Sequence, residues 1–307
     1  MTPAITLLVP CYNAAKFLPR LHEAVCTLTA PFSRVLCYDD GSSDDTVAIA
    51  HSLGLEIVTG NPNRGVAHAR NQLAAAARTD WIHFHDADDL IAPTFVERLA
   101  PWCDERHDVV SCDADWIGET TRHLVVAWRY DAGALARAPY MHLLSQSMGL
   151  NSSIIRRSAW DRIGGCDEKL TMWEDADIHI RLACDGARFH HISEVLTWSL
   201  RRSDSFSHDY RKSWSCRLSA LERYATYPAD VAVARILARE SEQAAAELFS
   251  LGDEAGARRG IALCQRVGGN PPTTPNLALR ALKKILPAYP LFRWQCIRRH
   301  RANARTS

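Results

Sequence analysis

The chain has 307 residues, which is enough for one large domain with an extension or for two domains. Its 47% share of hydrophobic residues is ordinary for a globular protein, and no stretch reaches the ~18 to 20 apolar residues that would span a bilayer. The first residues enter a strand pattern at once and lack the features of a signal peptide, so we expect a cytoplasmic protein.

The net charge of +1 conceals an asymmetry along the chain. No acidic residue follows Glu254, whereas eleven lysines and arginines do. The basic segment 277–301 mixes these cations with leucines and aromatics, which fits either an interfacial membrane segment or a packed helix with a solvated basic face. The first interpretation predicts an anionic membrane surface as a partner, with peripheral binding at the inner face of the cell membrane. We expect no nucleic acid partner, because no recognised nucleic-acid-binding fold accompanies the charge.

Short β-type runs alternate with helical patterns in the first hundred residues. Strands are predicted at 5–10, 34–38, 55–59 and 81–85, and helices at 14–29, 44–52, 66–77 and 93–103. This alternation predicts an α/β fold with a mostly parallel sheet and helices on both faces. Ligands of such sheets bind beyond the carboxyl ends of the strands, where polar residues occur three times, at 10–13, 39–42 and 86–89.

The pattern changes after residue 109. Longer strands of antiparallel type are predicted at 109–117 and 124–130, and a strand pair or hairpin at 188–200. Helices are predicted at 176–184, 213–224, 231–251 and 254–266. We predict two domains, one over 1–210 and a helical, basic C-terminal extension over 211–307.

Two acidic clusters carry the strongest chemical signal. Asp86, Asp88 and Asp89 follow a short apolar run, and three carboxylates in four residues repel one another unless a cation or solvent offsets their charge. A hard divalent ion shared with a phosphate is one solution, and a helix N-terminal cluster is the plainer reading. Glu174 and Asp175 open a later helix, where acids are also favoured by the helix dipole, and one of them could act as a general base.

Two further segments are ambiguous by themselves. Residues 39–46 form either a capped strand-to-helix turn or a site in which an aspartate accepts hydrogen bonds from a nucleobase or ribose. Arg70 and Asn71 lie in a helix near the predicted nucleotide edge. They belong either to a helix start with exposed arginines or to a contact with a phosphate or base.

Taken together, these segments resemble the family 2 glycosyltransferases, which have the GT-A fold. The matching residues are 9–13 (VPCYN), 39–44 (DDGSSD), 63–71 (NRGVAHARN), 86–89 (DADD) and 173–175 (WED). Residues 194–207 look like the closing active-site loop of that family. The resemblance covers about residues 4 to 210, roughly two thirds of the chain.

The resemblance implies roles for the donor-binding residues. Pro10, Tyr12 and Asn13 would border the nucleobase pocket of a nucleotide-sugar donor, for which we expect a UDP-sugar. Either Asp39 or Asp40 would hold the base or the ribose, and the sequence leaves open which carboxylate does so.

The resemblance also implies the reacting groups. Asp86 would contact the ribose or sugar, and Asp88 would bind Mg²⁺ or Mn²⁺ bridging the diphosphate. Asp175 would be the general base on the acceptor hydroxyl, and Arg201 or Arg202 would meet the diphosphate. The implied reaction is a single in-line displacement that inverts the anomeric carbon, with a glycan or lipid-linked acceptor.

One position departs from the family pattern. Many relatives carry a metal-binding histidine shortly after the loop arginine, where this chain has Ser203. Either His208 replaces it, or water takes the place. Trp173 and Glu174 would border the acceptor.

The leading hypothesis is therefore an inverting glycosyltransferase of bacterial surface-polysaccharide synthesis. A nucleotidyltransferase that makes nucleotide sugars is the first alternative, but it usually needs a glycine-rich N-terminal phosphate loop, which residues 9–13 do not provide. A non-catalytic binding protein on the same scaffold is the second, and the presence of both Asp88 and Asp175 argues against it.

Overall fold

The computed structural model describes residues 3–202, 209–273, 282–283 and 285–303. The chain divides into two compact units, Met1–Ser205 and Phe206–Ser307. The boundary between them lies five residues before the one predicted at residue 210.

Within the described residues, nine strands of the first unit form one sheet. The strands are β1 Ile5–Cys11, β2 Arg34–Asp40, β3 Glu56–Gly60, β4 Trp81–Phe84, β5 Leu90–Ile91, β6 Val109–Gly118, β7 Leu124–Trp128, β8 Ser153–Arg156 and β9 Phe189–Arg201. Their order is β3-β2-β1-β4-β8-β6-β9-β5, with β7 paired to β6 outside this path.

Eight helices of the first unit connect these strands. They are α1 Leu18–Cys26, α2 Thr46–Ser52, α3 Val66–Ala76, α4 Phe95–Leu99, α5 Ala132–Arg137, α6 Pro139–Ser145, α7 Arg157–Arg162 and α8 Glu174–Cys184, among the residues that the structure describes. Two single 3₁₀ turns, Ala100–Trp102 and Leu150–Ser152, precede β6 and β8.

The sheet is mixed. Strands β1 to β4 run parallel, as predicted, and β6 runs parallel to β9. Strand β8 is antiparallel to both β4 and β6, and β7 is antiparallel to β6. Because β1, β2 and β4 are parallel neighbours, their polar carboxyl ends lie at one edge of the sheet, as the sequence predicted.

Both faces of the central strands are covered. Leu7 and Val9 pack with Leu18 of α1 and Phe95 of α4 in the main core cluster. On the other face, Phe84 packs against Trp160 of α7, with ring centroids 4.6 Å apart. This two-sided burial explains why β1 is a continuous apolar run rather than an alternating one.

The hairpin predicted at 188–200 is wrong. These residues form the single strand β9, which pairs with β6 along its whole length. The register shifts where Ile192 pairs with Cys112 and Val195 with Asp113, so Ser193 and Glu194 form a bulge instead of a turn. Strands β5 and β8 and helices α5, α6 and α7 were not predicted.

The second unit contains helices α9 Tyr210–Tyr224, α10 Val231–Ser250, α11 Glu254–Arg266 and α12 Ala288–Asn303 among its described residues. Three of these helices begin at an aspartate whose side chain accepts a backbone N–H of the first turn: Asp209, Asp230 and Asp253. Gly260 lets α10 and α11 approach closely, because a Cβ there would lie 2.8 Å from the Cβ of Ala245.

Helix α12 packs within this unit through one face. Phe292 and Cys296 join the core cluster of Ala245, Ala257 and Ile261. For the described residues of the basic segment, this packing corresponds to the packed helix that is one of the two alternatives predicted from the sequence. Residues 274–281 lie outside the described part of the chain. No helix among the described residues is both long enough and apolar enough to cross a membrane.

Candidate functional site

The site begins where β1 and β2 end side by side. Cys11 is the register partner of Asp39, so the two following loops meet. The backbone N–H of Asn13 donates to Ser42 Oγ (2.8 Å), and Asn13 Oδ1 accepts from the backbone N–H of Ser43 (2.9 Å). Asn13 has a left-handed backbone (φ +50°), which asparagine tolerates better than most residues. Asn13 therefore joins the two loops.

Tyr12 and Pro10 border the same edge. The Tyr12 residue is 55% exposed, which is unusual for a tyrosine next to a buried strand. Pro10 is partly buried beside it. An exposed aromatic ring at the end of a parallel strand is free to stack on a planar ligand.

The two aspartates at the end of β2 have different partners. Asp40 accepts the backbone N–H groups of Arg64 (3.0 Å) and Gly65 (2.6 Å), so it holds the start of α3. Asp39 accepts one backbone N–H, from Ser42, at 3.2 Å and 3.4 Å. Since neighbouring strand residues face opposite sides of a sheet, only one of them can serve a ligand on a given side.

The three carboxylates after β4 also differ in their partners and in their exposure. Asp89 is buried and accepts hydrogen bonds from Asn151 Nδ2 (2.9 Å), Ser199 Oγ (2.9 Å) and the backbone N–H of Leu200 (3.2 Å). Asp89 thus ties the loop to β9, and Asp86 and Asp88 keep side chains that are 43% and 28% exposed.

Asp88 faces Arg202. The two form an ion pair, and the Arg202 guanidinium also lies 4.7 Å from the centre of the Phe17 ring. Burial and the nearby Asp86 carboxylate raise the pKa of Asp88. The Asp88 carboxylate is therefore largely shielded from water, and the Arg202 guanidinium balances its charge.

Arg70 connects this loop to the second acidic cluster. Its buried guanidinium donates to Glu174 Oε1 (2.6 Å) and to Asp86 Oδ1 (3.0 Å). Burial raises the pKa of Glu174 to about 7, while the positive charge of Arg70 opposes that rise. Arg70 thus lies at the predicted edge, but its partners in this structure are two carboxylates of the protein.

Helix α8 begins at the acidic cluster. Trp173 has a left-handed backbone (φ +72°), a conformation that costs a bulky residue about 1–3 kcal/mol and is found at functional sites. Asp175 Oδ1 accepts the backbone N–H of Ala176 (2.8 Å), and burial raises the pKa of Asp175. A Cβ on Gly149 would lie 3.7 Å from Asp175 Oδ2, so the glycine leaves the side of that oxygen open.

The loop before α8, which the sequence predicts to be flexible, is anchored. Asn71 donates to the carbonyl of Cys166 (3.0 Å) and accepts its backbone N–H (2.8 Å). Glu168 pairs with Arg64 (3.3 Å), and Arg181 donates to the carbonyl of Ile163 (2.7 Å). These contacts fix the position at which α8 presents Asp175.

Arg201 and Arg202 diverge at the end of β9. Arg202 lies on Phe17 beside Asp88, whereas the Arg201 guanidinium lies 4.9 Å from the centre of the Trp116 ring on β6. His208, the predicted metal ligand, lies outside the described residues. Among the residues that the structure describes, no group of three His, Cys, Asp or Glu side chains is arranged to hold a metal ion.

Sequence reasoning missed Asn151, Ser199 and Glu168. Asn151 and Ser199 are 62 and 110 residues from Asp89 in sequence, so no local pattern could connect them. Asn71 was recognised together with Arg70 as a candidate contact to a phosphate or base, and its partner in this structure is the backbone of Cys166.

Comparison with known proteins identifies the family. The sequence matches the model "Glycosyl transferase family 2" over residues 6–166, just over half of the chain. The chain belongs to glycosyl transferase family 2. The family 2 match includes the site segments 10–13, 39–46, 63–71 and 86–89, together with Gly149 and Asn151. The site residues from Glu168 onward follow it in the sequence.

Individual relatives are distant. The succinoglycan biosynthesis protein ExoO of Rhizobium meliloti is 29% identical over 152 residues, which are 46% of this chain and 41% of ExoO. The chain spans less than two thirds of the length of the curated relatives it matches.

Two solved structures share the fold. Staphylococcus aureus TarS 1–349 in complex with UDP has a TM-score of 0.61 at 17% identity, covering 89% of this chain and 94% of TarS 1–349. The mannosyltransferase PcManGT of Pyrobaculum calidifontis, in complex with GDP-Man and Mn²⁺, has a TM-score of 0.63 at 17% identity, covering 97% of this chain and 85% of PcManGT. The GT-A fold predicted from sequence is confirmed.

Proposed function

We propose that this protein is an inverting, metal-dependent glycosyltransferase that moves a sugar from a UDP-sugar to a hydroxyl of a glycan or lipid-linked acceptor. One observation carries the proposal: the segments of Asp39 and Asp88 follow parallel strands at one sheet edge, and Arg70 links Asp86 at that edge to Glu174, next to Asp175. Surface-polysaccharide synthesis is the proposed setting, which the name of ExoO supports. The proposed catalytic domain is 1–210, at the cytoplasmic side of the membrane.

Asp39, rather than Asp40, is proposed to hold the nucleoside. The Asp40 carboxylate already accepts two short backbone hydrogen bonds, whereas Asp39 accepts one long one and keeps acceptor capacity. Tyr12, Pro10 and Asn13 border the proposed nucleobase position. The UDP bound by TarS supports uracil as the base.

The residues present fit a divalent cation. Mg²⁺ and Mn²⁺ are usually held by one or two carboxylates plus substrate phosphates, so three protein ligands are not required. Asp88 would hold the ion, with Asp86 next to it, and His208 or water would complete the site. When bound, the cation would offset the charge that gathers on the departing diphosphate. The Mn²⁺ in the PcManGT structure supports this assignment.

Asp175 is proposed to take the acceptor proton. The acceptor oxygen attacks the anomeric carbon as its proton passes to the Asp175 carboxylate. The bond from the anomeric carbon to the diphosphate oxygen breaks with its electron pair, which stays on the nucleoside diphosphate. Attack from the opposite face inverts the anomeric carbon. Trp173 and Glu174 border the acceptor in this arrangement.

Nucleotide binding tests the proposal directly. Thermal shift and calorimetry with UDP, GDP, CDP and dTDP, each with and without Mn²⁺, should reveal stabilisation by UDP that requires the metal. Asp88→Ala should lose the metal requirement together with most of the affinity. Asp39→Ala should weaken UDP binding about tenfold or more, because a buried acceptor of a nucleoside hydrogen bond is removed.

Asp44→Ala serves as the matched control. Asp44 lies in the same loop, but its carboxylate accepts hydrogen bonds from the backbone N–H groups of Thr46 and Ala15. This variant should retain metal-dependent UDP binding. If no nucleotide binds with or without Mn²⁺, the proposal of a nucleotide-sugar transferase fails.

The basic C-terminal segment is proposed to contact anionic membrane. Trp294 is 45% exposed on α12, opposite the packed face of Phe292 and Cys296, and the Arg298 guanidinium lies 4.7 Å from its ring centre. An aromatic ring beside a cation suits the membrane interface. The full chain should sediment with vesicles containing 30% phosphatidylserine but not with neutral vesicles, and Trp294→Ala with Arg298→Gln should reduce this binding. Equal sedimentation with both vesicle types contradicts the proposal.

A further inference from the structure

An aromatic pair stands on the hairpin of β6 and β7. Trp116 pairs with Val126 and Trp128 with Ala114, so the two tryptophans are diagonal neighbours on one face of the hairpin. Their ring centres are 5.8 Å apart, with an interplanar angle of 64°. Both are only partly buried, and neither belongs to the main core cluster.

Arg201 brings a cation to this pair. In the register of β6 and β9, Trp116 lies beside Ser199 and Gly118 beside Arg201, which places Ser199, Arg201 and Trp116 on one face. The Arg201 guanidinium lies 4.9 Å from the Trp116 ring centre. A stacked guanidinium still directs N–H groups along its plane, where they can donate to hydroxyl or carboxylate oxygens.

This surface is continuous with the proposed base. Ser199 Oγ donates to Asp89 Oδ2, and Asn151 Nδ2 donates to both, each at 2.9 Å. Gly149 lies two residues before Asn151, and a Cβ on it would be 3.1 Å from Asn151 Oδ1 and 3.7 Å from Asp175 Oδ2. Residues 149–151 therefore connect Ser199, which lies beside Trp116, with the surroundings of Asp175.

We propose that Trp116, Trp128 and Arg201 bind the terminal sugar ring of a glycan acceptor, which rests on the proposed glycosyl transfer. Pyranose rings present C–H faces that pack on aromatic rings and hydroxyls at their rim, and sites of this kind combine aromatic walls with a few polar groups. This surface suits a lipid chain less well than a sugar, because the polar side chains of Arg201 and Ser199 form part of it. Of the two arginines, Arg202 then serves the diphosphate and Arg201 the acceptor.

Direct sugar binding tests this assignment. Saturation-transfer NMR would use the full-length protein with saturating UDP and Mn²⁺ and a panel of 4-nitrophenyl glycosides of glucose, galactose, mannose, N-acetylglucosamine, N-acetylgalactosamine and glucuronic acid. At least one glycoside should bind, and Trp116→Ala, Trp128→Ala and Arg201→Gln should each weaken it about tenfold. UDP affinity should be unchanged in all three variants. Trp116→Tyr and Trp128→Tyr, which keep an aromatic face, should stay within about threefold of the original chain.

Trp102→Ala is the matched control. Trp102 is also exposed, but it stacks on His190 (ring centres 3.7 Å apart) at the start of β9, about 30 Å along the strand from Arg201. The assignment is overturned if the original chain binds no glycoside, if Trp102→Ala loses as much affinity as the other alanine variants, or if both hairpin alanine variants bind normally. Loss of UDP binding in the original chain would count against the proposed function instead, because the glycoside signal is read separately.

Discussion

Replacing Asp175 with asparagine should lower the turnover number of glycosyl transfer by at least about 10²-fold while leaving UDP affinity unchanged. Asparagine keeps the shape and the hydrogen bond from Ala176 but cannot accept the acceptor proton. The measurement is the steady-state rate with a UDP-sugar, beside the dissociation constant of UDP. A rate within tenfold of the original would remove Asp175 from the role of base.

Asp185→Asn is the matched control for this experiment. Asp185 lies just beyond the other end of α8 and pairs on the surface with Arg162 at 2.9 Å, so its loss should leave the rate unchanged.

The pH profile gives an independent check on the base. A general base works only when it is ionised, and burial raises the pKa of Asp175. As the pH is lowered, kcat/KM should therefore begin to fall at a higher pH than it would for an aspartate with an ordinary pKa.

Replacing Arg70 with methionine should destabilise the first unit by about 3–5 kcal/mol. The methionine fills similar space but leaves Glu174 and Asp86 without their shared cation. Urea denaturation at pH 8 measures the change in the free energy of unfolding.

The loss should depend on pH in a defined direction. Burial already raises the pKa of Glu174 to about 7, and removing the positive charge of Arg70 should raise it further. The carboxyl of Glu174 therefore holds its proton more tightly in the folded variant than in the unfolded chain. Stability of the variant therefore falls as pH rises from the ordinary range of a glutamate through the raised value. The deficit should be smaller at pH 5.5 than at pH 8.

Two further variants separate charge from packing. Arg162→Met, which breaks the exposed pair with Asp185, should cost less than about 1 kcal/mol. Adding Glu174→Gln to Arg70→Met should restore part of the stability. An Arg70→Met deficit that is equal at both pH values would contradict the electrostatic explanation.

The sequence was sufficient for the parallel half of the sheet. Strands β1, β2 and β4 are apolar runs closed by polar residues, and helices separate them, so both their direction and the shared site edge followed from pattern alone. The bulge in β9 could not be predicted from the pattern, because the polar residues Ser193 and Glu194 look like a turn until β6 is known to lie beside them.

The division of labour among the acids was also beyond the sequence. Asp86, Asp88 and Asp89 are equivalent in a local pattern, and their roles depend on Arg70, Arg202 and Asn151, which arrive from other elements. The choice between Asp39 and Asp40 likewise depends on the backbone of residues 64 and 65. Long-range contacts thus assign roles that composition and spacing leave open.

The ion pair between Asp88 and Arg202 neutralises the carboxylate that is proposed to hold the metal. A cation that binds Asp88 must compete with Arg202, so its apparent affinity in the absence of donor is reduced by the fraction of molecules in which the pair is closed. The displaced guanidinium becomes available to an incoming diphosphate. Donor and metal are then thermodynamically linked, and each should tighten the binding of the other by the same factor.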